Sequence, residues 1–261
     1  MRAAVKRMLA LASGGRSPHG ATLLIYHRVG GGSPDERDLA EDAFRQQLDA
    51  LAGVDVVGID QALDRLERGD REPSTVLTFD DGFGDVYDNA WPLLRERSLP
   101  FTIYLSTAYV GGTMRWDGST AKAAGPALTW SQLAEMVESG LCTVGNHTHT
   151  HVRPERLTAE ELDHCSAEIH QRLGVTARHF AYCWGERVPR MEIELRSRFR
   201  SAATARVGRN LPGGDLMKLR RVPVRGSDPI EFFRAKLVGG LLPERSYGLI
   251  VAAAKKAGAR A

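Results

Sequence analysis

Cysteine is scarce and scattered: Cys142, Cys165 and Cys183 lie in separate segments with no Cys-x-x-Cys pair. That spacing argues against a zinc ribbon or a disulfide framework, and the odd count favours a reducing compartment. Neither sign of charge dominates. The 35 Lys and Arg stand against 32 Asp and Glu, both spread along the chain, so the net +3 gives no basis for a nucleic-acid surface. No internal repeat, low-complexity tract or long linker divides the chain. With 43% hydrophobic and 26% charged residues it is neither disordered nor membrane-spanning in composition. At 261 residues it can bury the core of one α/β barrel or of two small domains.

The first residues, Met1 to Ser13, start basic, but their apolar stretch is shorter than the core of a signal peptide. They read either as a basic amphipathic helix suited to a membrane surface or as a frayed terminus. A cytoplasmic or membrane-peripheral location is therefore expected. Residues 1–20 form this segment, 21–250 the main domain and 251–261 a tail.

What recurs is strand, loop, helix. β-rich runs occur at 22–26, 54–58, 75–79, 101–105, 142–144, 179–182, 201–204 and 219–224. Helical spacing lies between them, as in Phe44, Leu48 and Leu51, or Tyr87, Ala90, Trp91 and Leu94. Thr129-Trp130-Ser131-Gln132 and Thr158-Ala159-Glu160-Glu161 read as capping boxes; the first helix has a stop at Gly140, and Leu162, Ile169 and Leu173 stripe the second. Alternation of this kind implies a parallel sheet covered on both faces. About seven or eight units close into a distorted (β/α)7-8 barrel, with an open doubly wound sheet as the alternative.

A barrel places functional groups at the C-terminal ends of its strands. Four polar clusters meet that demand: Tyr26-His27-Arg28, Asp80-Asp81-Gly82, Asn146-His147-Thr148-His149-Thr150-His151 and Tyr182-Cys183-Trp184-Gly185. Adjacent carboxylates repel unless a cation or a proton separates their roles, although an Asp-Asp-Gly turn on its own is ordinary. His147 and His151, four apart, can aim two imidazoles at one ion. With one Asp they make a two-His, one-carboxylate set of the catalytic kind, against the plainer reading of a solvated loop. His149 faces away. Gly30-Gly31-Gly32 lacks a following Gly-Lys-Ser/Thr and reads as a rim loop. His164 and His170 read as surface residues and Trp91 as core, while Trp116 and Trp130 are candidates for a sugar-binding rim, with packing as the default.

Leu77-Thr78-Phe79-Asp80-Asp81-Gly82, Gly145-Asn146-His147-Thr148-x-x-His151 and Phe180-Ala181-Tyr182-x-x-Gly185 together resemble the polysaccharide deacetylase family, the NodB-homology domain or carbohydrate esterase family 4. The resemblance runs from about Ile25 to Val224. It implies a metal-dependent hydrolase that removes the N-acetyl group from a sugar or polysaccharide. It also implies Asp80 as general base, Asp81, His147 and His151 as metal ligands, Thr148 as a supporting hydroxyl, and the backbone near Tyr182, with Trp184, at the oxyanion and substrate. Zinc is the default ion by ligand type, with other first-row ions acceptable. The last histidine is His179, so the C-terminal acid histidine of many members has no counterpart. The chain resembles instead the permuted branch that includes biofilm poly-N-acetylglucosamine deacetylases, in which a first-strand Tyr-His pair supplies it, and His27 becomes the general acid.

Cys183 stands where that branch usually has proline. Ala181 occupies the place of an arginine that tethers the base in other branches, leaving Arg220 or Arg221 to reach in from the last strand. Two alternatives accompany the deacetylase reading: a non-catalytic carbohydrate-binding protein on the same fold, and a deacylase or deformylase of a lipid-linked or small-molecule sugar.

Overall fold

The computed structural model describes residues 2–11, 19–116, 124–238 and 241–258. The strands are β1 (Ala21–Tyr26), β2 (Arg28–Val29), β3 (Asp38–Leu39), β4 (Ser74–Asp81), β5 (Phe101–Leu105), β6 (Thr113–Met114), β7 (Gly125–Pro126), β8 (Cys142–Asn146), β9 (His179–Ala181), β10 (Ser201–Ala203) and β11 (Arg221–Pro223). The helices are α1 (Arg2–Leu11), α2 (Glu41–Ala50), α3 (Ile59–Glu67), α4 (Trp91–Glu96), α5 (Trp130–Glu138), α6 (Ala159–Leu173), α7 (Glu192–Arg198), α8 (Ile230–Leu237) and α9 (Leu242–Gly258).

Seven strands form one parallel sheet in the order β10-β9-β8-β5-β4-β1-β11. Its two edges nearly meet. Ala203 at the end of β10 bridges Leu219 just before β11, and the Arg221 N–H donates to the Arg206 carbonyl at 3.1 Å. The result is a nearly closed barrel rather than an open doubly wound sheet. Of the expected strands, 54–58 reduces to a single bridge between Val56 and Thr75. Two hydrogen bonds pin it, Thr75 N–H to the Asp55 carbonyl and Val57 N–H to the Thr75 carbonyl, before α3 begins at Ile59.

Side-chain alternation sorts the core. Leu24, Tyr26, Leu77 and Phe79 face outward and pack with Phe44 and Leu48 of α2. Leu23, Val76, Tyr104, Ala181 and Ala203 fall in a second cluster with Ala62, Leu63 and Leu66 of α3. Tyr26 stacks on Phe79 at 5.2 Å and its hydroxyl donates to Gln47, so the tyrosine beside His27 belongs to the packing.

Helix ends follow the sequence signals in part. Thr129 and Gln132 form a reciprocal capping box on α5, and Gly140 takes φ +74° beyond the helix end. Thr158 caps α6 through the Glu161 N–H, whereas the Glu161 carboxylate turns to Thr150 instead of completing the box. α1 is anchored: buried Lys6 donates to Asp228 and Ser227, each at 2.6 Å, while Met8 and Leu11 remain exposed. No helix among the described residues is long and apolar enough to cross a membrane.

Candidate active site

The barrel brings the predicted clusters to one rim. His27 follows β1, Asp80 and Asp81 end β4, His147 and His151 follow β8, and Tyr182 to Gly185 follow β9. Asp80 keeps the inward face of Val76 and Thr78. By strict alternation Asp81 would follow Leu77 and Phe79 outward, but its φ of +78° breaks the period. Left-handed backbone is unfavourable for a residue with a Cβ, of order 1–3 kcal/mol where the surroundings hold it in place. Among the described residues six non-glycine positions adopt it, and Asp81, Thr148, His151 and Trp184 are four of them. Strain is therefore concentrated where side chains must be aimed.

Asp81 Oδ1 lies 3.4 Å from His147 Nε2 and 3.3 Å from His151 Nε2. His147 is oriented from behind by a 2.8 Å contact between Nδ1 and the Ala181 carbonyl, which places the proton on Nδ1 and leaves Nε2 a lone pair. All three side chains are buried, and Asp81 Oδ2 has no hydrogen-bond partner among the described residues. Burial pushes the Asp81 carboxyl up, but the His147 and His151 edges outweigh it and hold the group well below the usual carboxylate range. Burial likewise lowers His147, yet Asp81 and Asp80 reverse that and raise it. Such a site attracts positive charge between its ligands. A divalent cation fits the donor set: two imidazole nitrogens and one carboxylate, with an unused buried carboxylate oxygen.

Asp80 is held differently. Arg221 Nη1 and Nη2 donate to its two oxygens at 2.6 and 2.9 Å, and Arg221 is itself fixed by donation from Nε to the Thr204 carbonyl at 3.0 Å. Register explains the reach. Arg221 lies level with Leu23 and hence with Val76, and its side chain climbs past Thr78 to Asp80. Burial raises the Asp80 carboxyl, but the Arg221 charge dominates together with His147, so the group stays ionised below its usual range. The tethering arginine is thus Arg221, with Arg220 directed elsewhere.

His27 is half-buried, and its shielded Nδ1 has no hydrogen-bond partner among the described residues. Burial lowers its pKa, with Asp81 and Asp80 pulling only partly the other way. The Tyr182 N–H donates to the Ala203 carbonyl at 2.9 Å, so this donor is already engaged within the fold. Trp184 is 39% exposed, its ring beside that of His151 and under Arg153. Thr148 Oγ1 lies 3.4 Å from Cys183 Sγ and accepts from the Val152 N–H at 3.3 Å. The Cys183 thiol is pushed well above its usual range by burial and donates to the His147 carbonyl. His147, His151 and Cys183 have ligand atoms within 4.8 Å of one another, although the proton on sulfur is already engaged.

His149 turns away, contacting Thr107 and stacking on His164 at 3.8 Å. Trp116 packs its ring 4.1 Å from that of His151, a support that the sequence placed only loosely at a rim. Trp130 packs against the main core. Trp91 is buried there, as expected.

A family model described as polysaccharide deacetylase matches residues 67–197. IcaB from Ammonifex degensii is similar in structure, with 32% identity and a TM-score of 0.72 over 84% of this chain and 97% of that one. The poly-beta-1,6-N-acetyl-D-glucosamine N-deacetylase of Staphylococcus epidermidis is 29% identical over 42% of this chain, a stretch spanning 37% of that relative's length. A polysaccharide deacetylase from Bacillus cereus shares the fold, with 22% identity and a TM-score of 0.70 over 85% of this chain and 69% of that one.

Proposed function

The chain belongs to the polysaccharide deacetylase family, and from that premise we propose that it is a metal-dependent hydrolase of the N-acetyl group of an N-acetylated sugar or polysaccharide. One observation carries the reading: two adjacent carboxylates have separate partners, Asp80 on Arg221 and Asp81 between His147 and His151. Asp81, His147 and His151 would hold the ion, zinc by ligand type. When bound, it supplies Lewis-acid polarisation of the acetamide carbonyl and makes water more acidic.

The chain's own groups do the rest. Asp80, kept ionised by Arg221, is the general base that takes the proton from water as it attacks the carbonyl carbon. Arg221 fixes both carboxylate oxygens, so the accepting lone pair is held in one direction. The Cys183 N–H, next in the loop after the engaged Tyr182 N–H, donates to the oxygen on which negative charge develops. His27 protonates the departing amine. Desolvation of its ring makes the imidazole weakly basic at rest; Asp80 and Asp81, joined by the negative charge developing on the substrate, raise its basicity so that it takes up a proton from solvent and passes it to the amine nitrogen as the C–N bond breaks. Trp184 offers an apolar face to the sugar ring. The products are acetate and a free amino sugar.

Asp80→Asn and His147→Ala test the assignment by acetate release and metal content. Asp80→Asn is expected to retain the ion and lose about 10²–10⁴-fold in rate, and His147→Ala to lose both ion and rate. Full activity in Asp80→Asn would refute the base assignment.

A further inference from the structure

A cleft of about 980 Å³ lies along the seam where the barrel nearly closes, outside the catalytic cluster. Its walls come from Leu66 of α3, the 204–220 segment, and Leu241 and Arg245 at the start of α9. Gly185, from the loop after β9, also lines it. Six cationic side chains line it, Arg187, Arg206, Arg209, Lys218, Arg220 and Arg245, against one carboxylate, Asp215. That carboxylate is already matched by Arg196 at 2.6 Å and Lys218 at 2.7 Å, and Arg187 is paired with Glu192. Arg206, Arg220 and Arg245 have no ion pair among the described residues.

The backbone is arranged to present Arg220. Arg220 immediately precedes β11; Arg221 turns inward to Asp80, whereas Arg220 lines the cleft. Asn210, itself buried, accepts from the Arg220 N–H at 2.8 Å and donates to the Arg220 carbonyl at 2.9 Å, fixing its main chain. The side chain then crosses Gly208, where a Cβ would come within 2.4 Å of Arg220 Cδ. Several guanidinium forks with so little compensating charge suit a ligand group carrying more than one negative charge.

We propose that this cleft is a phosphate-binding subsite and that the sugar deacetylated by this chain carries a phosphate or diphosphate group. The choice of a sugar rests on the deacetylase reading; the phosphate site does not. Gly185 lines the cleft and follows Trp184, whose ring lies beside His151, so cleft and rim share this segment.

The test uses the full chain and its Arg206→Gln/Arg220→Gln variant, with Arg245→Gln as a second, independent variant. Calorimetry measures binding of inorganic pyrophosphate at two salt concentrations. Acetate release compares N-acetylglucosamine oligomers with and without a terminal phosphate. The expected result is pyrophosphate binding that weakens with salt and falls at least tenfold in the double variant. The phosphorylated oligomer should show a KM at least tenfold lower than the neutral one, an advantage lost in the double variant while turnover of the neutral oligomer is unchanged. No binding, or equal binding by the variants, overturns the site even if the neutral oligomer is deacetylated. Preference for a carboxylate-bearing glycan over pyrophosphate overturns the ligand class. Arginine-dependent pyrophosphate binding without acetate release from either oligomer upholds the site and removes the deacetylase reading.

Discussion

Replacing Arg221 with methionine should separate the base from its tether. Both partners are almost fully shielded, with side-chain exposures of 1% and 6%, and the contact is bidentate. Breaking a buried pair by removing one partner costs about 3–5 kcal/mol, because the remaining charge is left unpaired. Domain stabilities are of order 5–15 kcal/mol, so the loss is a large fraction of the total. It corresponds to a fall in Tm of roughly 6–20 °C at about 2–4 °C per kcal/mol. The sign with pH follows from the depressed carboxyl of Asp80. Its contribution is complete above the ordinary carboxylate range and is lost as pH falls through the folded-state value, so the Tm difference between wild type and Arg221→Met is largest near neutrality and narrows in acid. In the variant burial acts without its main opponent, and the acid limb of kcat/KM moves to higher pH. Thermal scans across pH, with acetate-release profiles, measure both effects. The double variant Arg221→Met/Asp80→Asn should regain at least half of the lost stability, since no unpaired charge remains. If Tm changes by less than about 2 °C, the acid limb stays in place, or the double variant is no more stable than the single one, the charge argument fails.

Other expectations are more compact. Lys6→Met leaves Asp228 with Lys236 but opens the α1 anchor, and a loss of about 1–3 kcal/mol should appear in denaturant midpoints; an unchanged midpoint would show that α1 adds nothing to the fold. His27→Ala should lower kcat and abolish the basic limb of its pH profile, and a retained basic limb would assign the proton to another group. Trp116→Ala removes the ring against His151 and should weaken metal retention in a chelator competition without changing the ligand set.

The sequence displayed some features and concealed others for identifiable reasons. The strand at 101–105 was readable to the residue because a short apolar run is closed by Pro100 and followed by a polar serine. The segment at 54–58 has the same β-rich composition, yet only Val56 pairs, since pairing depends on a neighbour that composition does not reveal. Arg220 and Arg221 could not be told apart beforehand: a register shift of one residue exchanges inward and outward faces, and only the pairing of Arg221 with Leu23 decides it. The positive φ values of Asp81, Thr148, His151 and Trp184 leave no local signature in side chains that normally avoid that region. Residue types at strand ends gave the candidate ligands; the strained backbone that aims them came from tertiary structure.

The central claim meets its most direct test in acetate release from an N-acetylglucosamine oligomer by the purified chain, before chelation, after chelation and after zinc is restored. The expected result is release that disappears with the ion and returns with it. Release undiminished by complete removal of metal would contradict the account.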